Sequence, residues 1–191
     1  MVCREWLLKL KKLLKIIIFV LVITAIYNGV PKVLRMIYPM KYSQNIYTYS
    51  KKYDLDPYLV ASIIKAESNF NVNAVSNRNA YGLMQITSST GNWIAEQMEL
   101  KDYDVDKLFQ PEYNILMGCW YLNDLKKEFN NNIDLVLAAY NGGRGNVQKW
   151  LNDNDHSKDG KSLHYIPFKE TDKYVKRVKV NYNIYRYLYS K

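Results

Sequence analysis

The sequence predicts an all-α fold, with one exported helical domain behind a single N-terminal transmembrane helix. Three observations carry this prediction. An apolar run long enough to cross a bilayer lies near the N-terminus. Behind it, apolar residues recur at helical spacing between capping residues. No stretch alternates for long as a strand would, and no internal repeat appears. The chain has 191 residues, 48% of them in the AVILMFWYC set and 14% aromatic. That is enough for one domain with a real core and too apolar for a disordered chain.

The apolar run is LLKIIIFVLVITAIYNGV, residues 13–30, with Lys15 as its one charge. Arg4, Lys9, Lys11 and Lys12 precede it and only Lys32, Arg35 and Lys41 follow closely. The denser basic flank stays in the cytoplasm, which puts everything after about residue 31 outside. A cleaved signal peptide is the competing reading. It would have a shorter apolar core ending in small residues, whereas TAIYN follows here, and no Cys follows to carry a lipid anchor. The uncleaved anchor is preferred. The organisation expected is a basic flank and anchor at 1–30, a juxtamembrane linker at 31–44 with Pro31 and Pro39, and the folded domain at 45–191. The connector character of the sequence extends to about residue 50.

In the folded part, Asp56-Pro57 opens the first clear helix, since Asp is a preferred N-cap and Pro suits the first helical position. Leu59, Val60, Ile63 and Ile64 define its apolar face. Gln110-Pro111 opens a second helix through Ile115, Met117, Trp120, Tyr121 and Leu125. Asp134 is expected to cap a short apolar helix, LVLAAY, which Gly142-Gly143 ends. A further short helix carries Val147, Trp150 and Leu151. The last runs from about Thr171, with Tyr174, Val178, Tyr182, Tyr185 and Tyr189 on one face.

Composition narrows the function. The 27 Lys and Arg against 18 Asp and Glu give +9. By position, however, residues 1–41 carry +7, residues 42–157 carry −4 and residues 158–191 carry +6. A nucleic-acid-binding module spreads its basic residues over the folded body, so that class recedes. Cys3 and Cys119 form no disulfide framework, and Cys119, among Met117, Trp120 and Leu122, reads as a buried structural thiol. His156 and His164 stand eight apart in a polar stretch without ligand spacing, so no metal site is expected.

Glu67 is the anomalous residue. It follows Ile64 by three positions, Ile63 by four and Val60 by seven, and so shares the apolar face of its helix. It also lies near the helix C-terminus, the unfavourable end of the macrodipole for an anion. Both effects raise a carboxyl pKa, and a carboxyl protonated near neutral pH is what a general acid needs. The structural alternative is a Glu turned out to solvent. Residues 81–86, YGLMQI, follow a turn-rich NRNA and suggest backbone and an amide close to a ligand, with Leu83 and Ile86 as ordinary core. In AAYNGG, residues 138–143, an apolar helix ends by presenting a Tyr and an Asn, or simply ends on a glycine cap.

Glu67-Ser68, then Gly82-Leu83-Met84-Gln85-Ile86, then Ala139-Tyr140-Asn141-Gly142, then Ile166-Pro167-Phe168 with Glu170-Thr171 and Tyr174-Val175, together resemble the ordered signature of soluble-type lytic transglycosylases. FQPEYNILMGCWYL resembles the segment between that family's second and third motifs. The resemblance covers about residues 45–189 and implies a lysozyme-like, goose-type (SLT) helical domain that cleaves the glycan strands of peptidoglycan and uses no cofactor.

Carried over residue by residue, the resemblance implies Glu67 as the single catalytic acid/base and Ser68 as a substrate-contacting hydroxyl. Met84 and Gln85 would line the sugar groove, and Tyr140 and Asn141 would position the N-acetyl group. Tyr174 would lie near the catalytic carboxyl, with Glu170 as a supporting acid. The polar stretch NDNDHSKDGKS, residues 152–162, departs from the pattern. A muramidase on the same site and a non-catalytic glycan-binding module are the alternatives, and the membrane is the second partner expected.

Overall fold

The computed structural model describes residues 2–190, and of residues 2–5 and 7–9 only the backbone. The expectations resting on the side chains of Cys3, Arg4 and Lys9 lie outside the described residues. The chain forms two compact units, Met1–Pro39 and Met40–Lys191.

The first unit is one helix, α1 (Val2–Ile37), with Pro31 inside it. Its stretch Leu10–Ile37 is long and apolar enough to cross a membrane, and no residue of its apolar window is buried. A helix apolar on all sides needs an apolar solvent or a partner. Residues 31–37, expected within the linker, are helical. Proline costs a helix one backbone donor but does not have to end it.

The second unit contains α2 (Ser43–Lys52), α3 (Pro57–Glu67), β1 (Ala80–Tyr81), β2 (Ile86–Thr87), α4 (Ser88–Gln97), a 3₁₀ turn (Val105–Phe109), α5 (Pro111–Glu128), α6 (Ile133–Gly142), α7 (Arg144–Leu151) and α8 (Lys169–Tyr189). The all-α reading therefore stands, with one small hairpin added. Its strands pair Ala80 with Thr87 and Tyr81 with Ile86.

Helix α3 is the centre of the domain. Asp56 caps it, its carboxylate accepting from the Tyr58 N–H at 2.8 Å, and Pro57 occupies the first turn. Leu59 to Ile64 are all buried, a continuous run that only an enclosed helix can present. It packs chiefly on α8, which also packs on α6. Asn181 of α8 donates to the Ser62 carbonyl at 3.3 Å, satisfying a polar group inside this contact. Val60, Ile63 and Ile64 are fully buried, each worth about 2 kcal/mol of transfer free energy.

The α6 cap differs from expectation. Asn132, not Asp134, caps the helix, its side chain accepting from the Asp134 and Leu135 N–H groups. Asp134 sits instead in the first turn and pairs with Lys179 at 3.0 Å. Both residue types cap well, and the chain reaches its helical dihedrals two positions earlier. Gly143 ends α6 with φ 88°, as its glycine leads one to expect. Cys119 is buried and free, its thiol pKa pushed up by burial, in keeping with a structural role.

Candidate active site

Three helices converge on the turn Gly82–Gln85 between the two strands. Gly82 and Gln85 both hold left-handed backbone, φ 73° and 49°. This is routine for Gly82 and strained for Gln85. Ser68, just past the end of α3, donates to the Leu83 carbonyl at 2.7 Å. The Tyr140 hydroxyl, near the end of α6, donates to the Met84 carbonyl at 2.8 Å. From α5, Asn114 accepts from the Met84 N–H at 2.7 Å and donates to the carbonyls of Tyr81 and Leu108 at 2.9 and 2.8 Å. Asn114 is fully buried, and the sequence reading missed it.

The anchored turn is one wall of a cleft of about 320 Å³ lined by Glu67, Gln85, Tyr140, Asn141, Glu170 and Arg78, with residues of the preceding loop and Thr87. Five of the eight residues singled out from sequence thus meet in one concavity. Glu67 is the last residue of α3, at the end of the helix where the dipole is unfavourable for an anion. Desolvation raises its pKa from the ordinary 4.5 to about 7, and the charge of Glu170 adds to the rise. The Tyr174 hydroxyl and the Arg177 guanidinium pull the other way without cancelling it.

Asn141 is oriented by Thr171, whose hydroxyl donates to its Oδ1 at 2.9 Å. That leaves the amide NH₂ as the donor this side chain offers the cleft. Gln85 donates to the carbonyls of Ala74 and Gly82 at 3.1 and 3.0 Å, which holds its side chain against the wall. Glu170 sits in the first turn of α8 and pairs with Arg78 at 3.1 Å.

Three expected contacts fall elsewhere. The Met84 side chain is fully buried, so it does not line the groove. It packs where a Cβ on Gly118 would come within 2.3 Å of its sulfur, and it anchors the turn from below. Tyr174 lies beside the Glu67 carboxyl as expected, but it is only 3% exposed and behind that carboxyl, so it does not line the cleft. Ser68 is absent from the cleft wall and spends its proton on the Leu83 carbonyl. In each case the residue supports the site from behind, a role that a motif in sequence does not separate from contact.

Beyond Tyr140 an aromatic row continues. Its ring lies 5.5 Å from that of Tyr121, and Trp93 stands 6.1 Å from Tyr121 and 5.4 Å from Trp120. Arg144 stacks over Trp93 and Tyr121 and pairs with Asp124 and Glu128. Trp93 lies on α4, a helix without a clean apolar stripe, and no periodicity in the sequence pointed to it.

The family model for the transglycosylase SLT domain matches residues 44–163. A putative soluble lytic murein transglycosylase from Haemophilus influenzae is 36% identical over 152 residues, 77% of this chain and 25% of that protein. A membrane-bound lytic murein transglycosylase C from Photorhabdus laumondii is 37% identical over 116 residues, 56% of this chain and 32% of that protein. Among solved structures, the 70-kDa soluble lytic transglycosylase of Escherichia coli superposes with a TM-score of 0.72 at 30% identity, covering 81% of this chain and 25% of that one. The chain thus spans about a quarter of the length of these soluble relatives. With an SLT-domain match over most of its length and the helical frame described above, the chain belongs to the transglycosylase SLT family.

Proposed function

We propose that the protein is a lytic transglycosylase that cleaves the β-1,4 bond between N-acetylmuramic acid and N-acetylglucosamine in peptidoglycan and leaves 1,6-anhydromuramyl ends. The observation that carries this reading is a single desolvated carboxyl, Glu67, in a cleft it shares with the Asn141 amide and the Tyr140 ring. Glu67 protonates the glycosidic oxygen as the C1–O bond breaks. The substrate's own acetamido oxygen stabilises the developing cation at C1, with the Asn141 NH₂ holding that group. The Glu67 carboxylate then takes the proton of the muramyl C6 hydroxyl as its oxygen bonds to C1. The acid is regenerated and no water is consumed.

In this reading residues 45–191 form the catalytic domain, and residues 1–30 anchor it with the N-terminus in the cytoplasm and the cleft on the cell-wall side. The basic residues before the apolar run favour anionic lipid at the inner leaflet. The test is digestion of peptidoglycan by the full-length protein in detergent, with the new glycan ends identified by mass spectrometry. Anhydro ends are expected. Reducing ends would make the enzyme a muramidase, and no release would leave a glycan-binding module.

A pH dependence follows. The acid must be protonated in the free enzyme, and the Glu67 pKa lies at about 7. The kcat/KM for glycan cleavage is therefore level at mildly acid pH and falls about tenfold per unit above pH 7. A profile still level at pH 9 would remove Glu67 from the acid role.

A further inference from the structure

We propose that Arg78 is a specificity residue of the cleft, one that takes a carboxylate on the side arm of the substrate's muramyl sugar by exchanging its internal partner Glu170 for it. This rests on the glycan-cleaving reading above. Arg78 lies in the loop before β1 and lines the cleft together with two acids, Glu67 and Glu170. The backbone of that loop is fixed: the Ser76 hydroxyl accepts from the N–H groups of Arg78 and Ala80, each at 3.2 Å. The side chain is not fixed. Arg78 and Glu170 remain 76% and 67% exposed, and a single N–O contact of 3.1 Å joins them.

An exposed, one-pronged pair is weak and exchangeable. A guanidinium offers five donors in a planar fork, so most of those on Arg78 remain open to a second carboxylate. Glu170 keeps favourable surroundings when released, because it lies in the first turn of α8, where the helix dipole stabilises an anion. The sugars of the strand are neutral apart from their lactyl arms. Those arms carry charge as a free lactyl carboxylate or as the acidic residue of an attached peptide. With Glu67 protonated, the charge of Glu170 remains on the cleft wall and repels either one unless Arg78 receives it.

Binding is measured with the full-length protein in detergent, in a Glu67→Gln background that stops turnover. The probes are peptide-bearing glycan oligomers, oligomers stripped of peptide, and a chitooligosaccharide of equal length that has no lactyl arm. Arg78→Gln is expected to weaken binding of the charged oligomers about five- to tenfold and to leave the chitooligosaccharide unchanged. Arg78→Lys should recover part of the loss, and Glu170→Gln should tighten charged oligomers more when Arg78 is present than in the Arg78→Gln background. A loss confined to peptide-bearing oligomers places the carboxylate on the peptide, one confined to stripped oligomers places it on the free lactyl arm, and a loss with both shows that Arg78 takes either. Equal effects on all three probes, or none on any, overturn the assignment. A parent with Arg78 intact that binds none of the probes overturns instead the glycan reading beneath it.

Discussion

Glu67→Gln is expected to abolish cleavage and to stabilise the fold at the same time. The amide keeps the shape of the carboxyl but has no proton to give, and general acid catalysis alone is worth about 10²–10⁴-fold in rate. The stability effect comes from the cost of burying the charge. In the folded protein the Glu67 pKa is raised to about 7, against an ordinary value of 4.5. Between those two values the folded state binds more protons than the unfolded state, so stability falls as pH rises from about 4.5 through 7. The full penalty, on the order of 3 kcal/mol, is present above pH 7 and absent below 4.5. Thermal melts of the two proteins should therefore converge at pH 4 and separate at pH 8, the variant melting higher. Retained cleavage would remove the catalytic assignment. Equal melting at both pH values would show that the carboxyl is not desolvated.

Glu67 could be singled out in the sequence because its anomaly is local: a carboxyl on an apolar helical face needs only the spacing of its neighbours to be noticed. The central helix was legible for the same reason, with Asp56-Pro57 at its start and Ile63 and Ile64 along it. Helices α2 and α4 were not. SQNIYTYSKK and SSTGNWIAEQ are rich in residues that favour caps and turns, and tertiary packing of Ile46, Gly91 and Ile94 makes them helical. The hairpin has two residues per strand, too few for alternation to register. Met84 was misplaced because a motif marks residues that the site requires without saying which side of the wall they occupy. The Arg78–Glu170 pair joins residues 92 apart, a distance over which periodicity carries no information. Asn114 did leave a signal of the kind Glu67 left, a polar residue four positions before Gly118 on the buried stripe of α5.

That stripe makes Asn114→Ala the second large effect, this one on the fold. The substitution removes one acceptor and two donated hydrogen bonds and leaves the Met84 N–H and the Tyr81 and Leu108 carbonyls without their partner. Each buried group so orphaned costs about 1–3 kcal/mol; toward the lower end of that range the three together amount to about 3–5 kcal/mol, a large share of the 5–15 kcal/mol that holds a typical domain together. The melting temperature should drop by about 10–20 °C. Asn114→Asp separates the donors from shape: it is isosteric and can still accept from Met84, yet it sets a carboxylate oxygen against two carbonyls. It should be at least as damaging as the alanine. Gly82 shows how closely the turn packs on this amide, since a Cβ there would lie 2.1 Å from the Leu108 oxygen and 2.4 Å from the Asn114 Nδ2. Residual folded Asn114→Ala protein should accordingly show weakened glycan cleavage, because the turn carrying Gln85 and the carbonyl under Tyr140 has lost its tie to α5. A variant melting within about 1 kcal/mol of the parent, with full activity, would show that Ser68 and Tyr140 suffice to hold the turn.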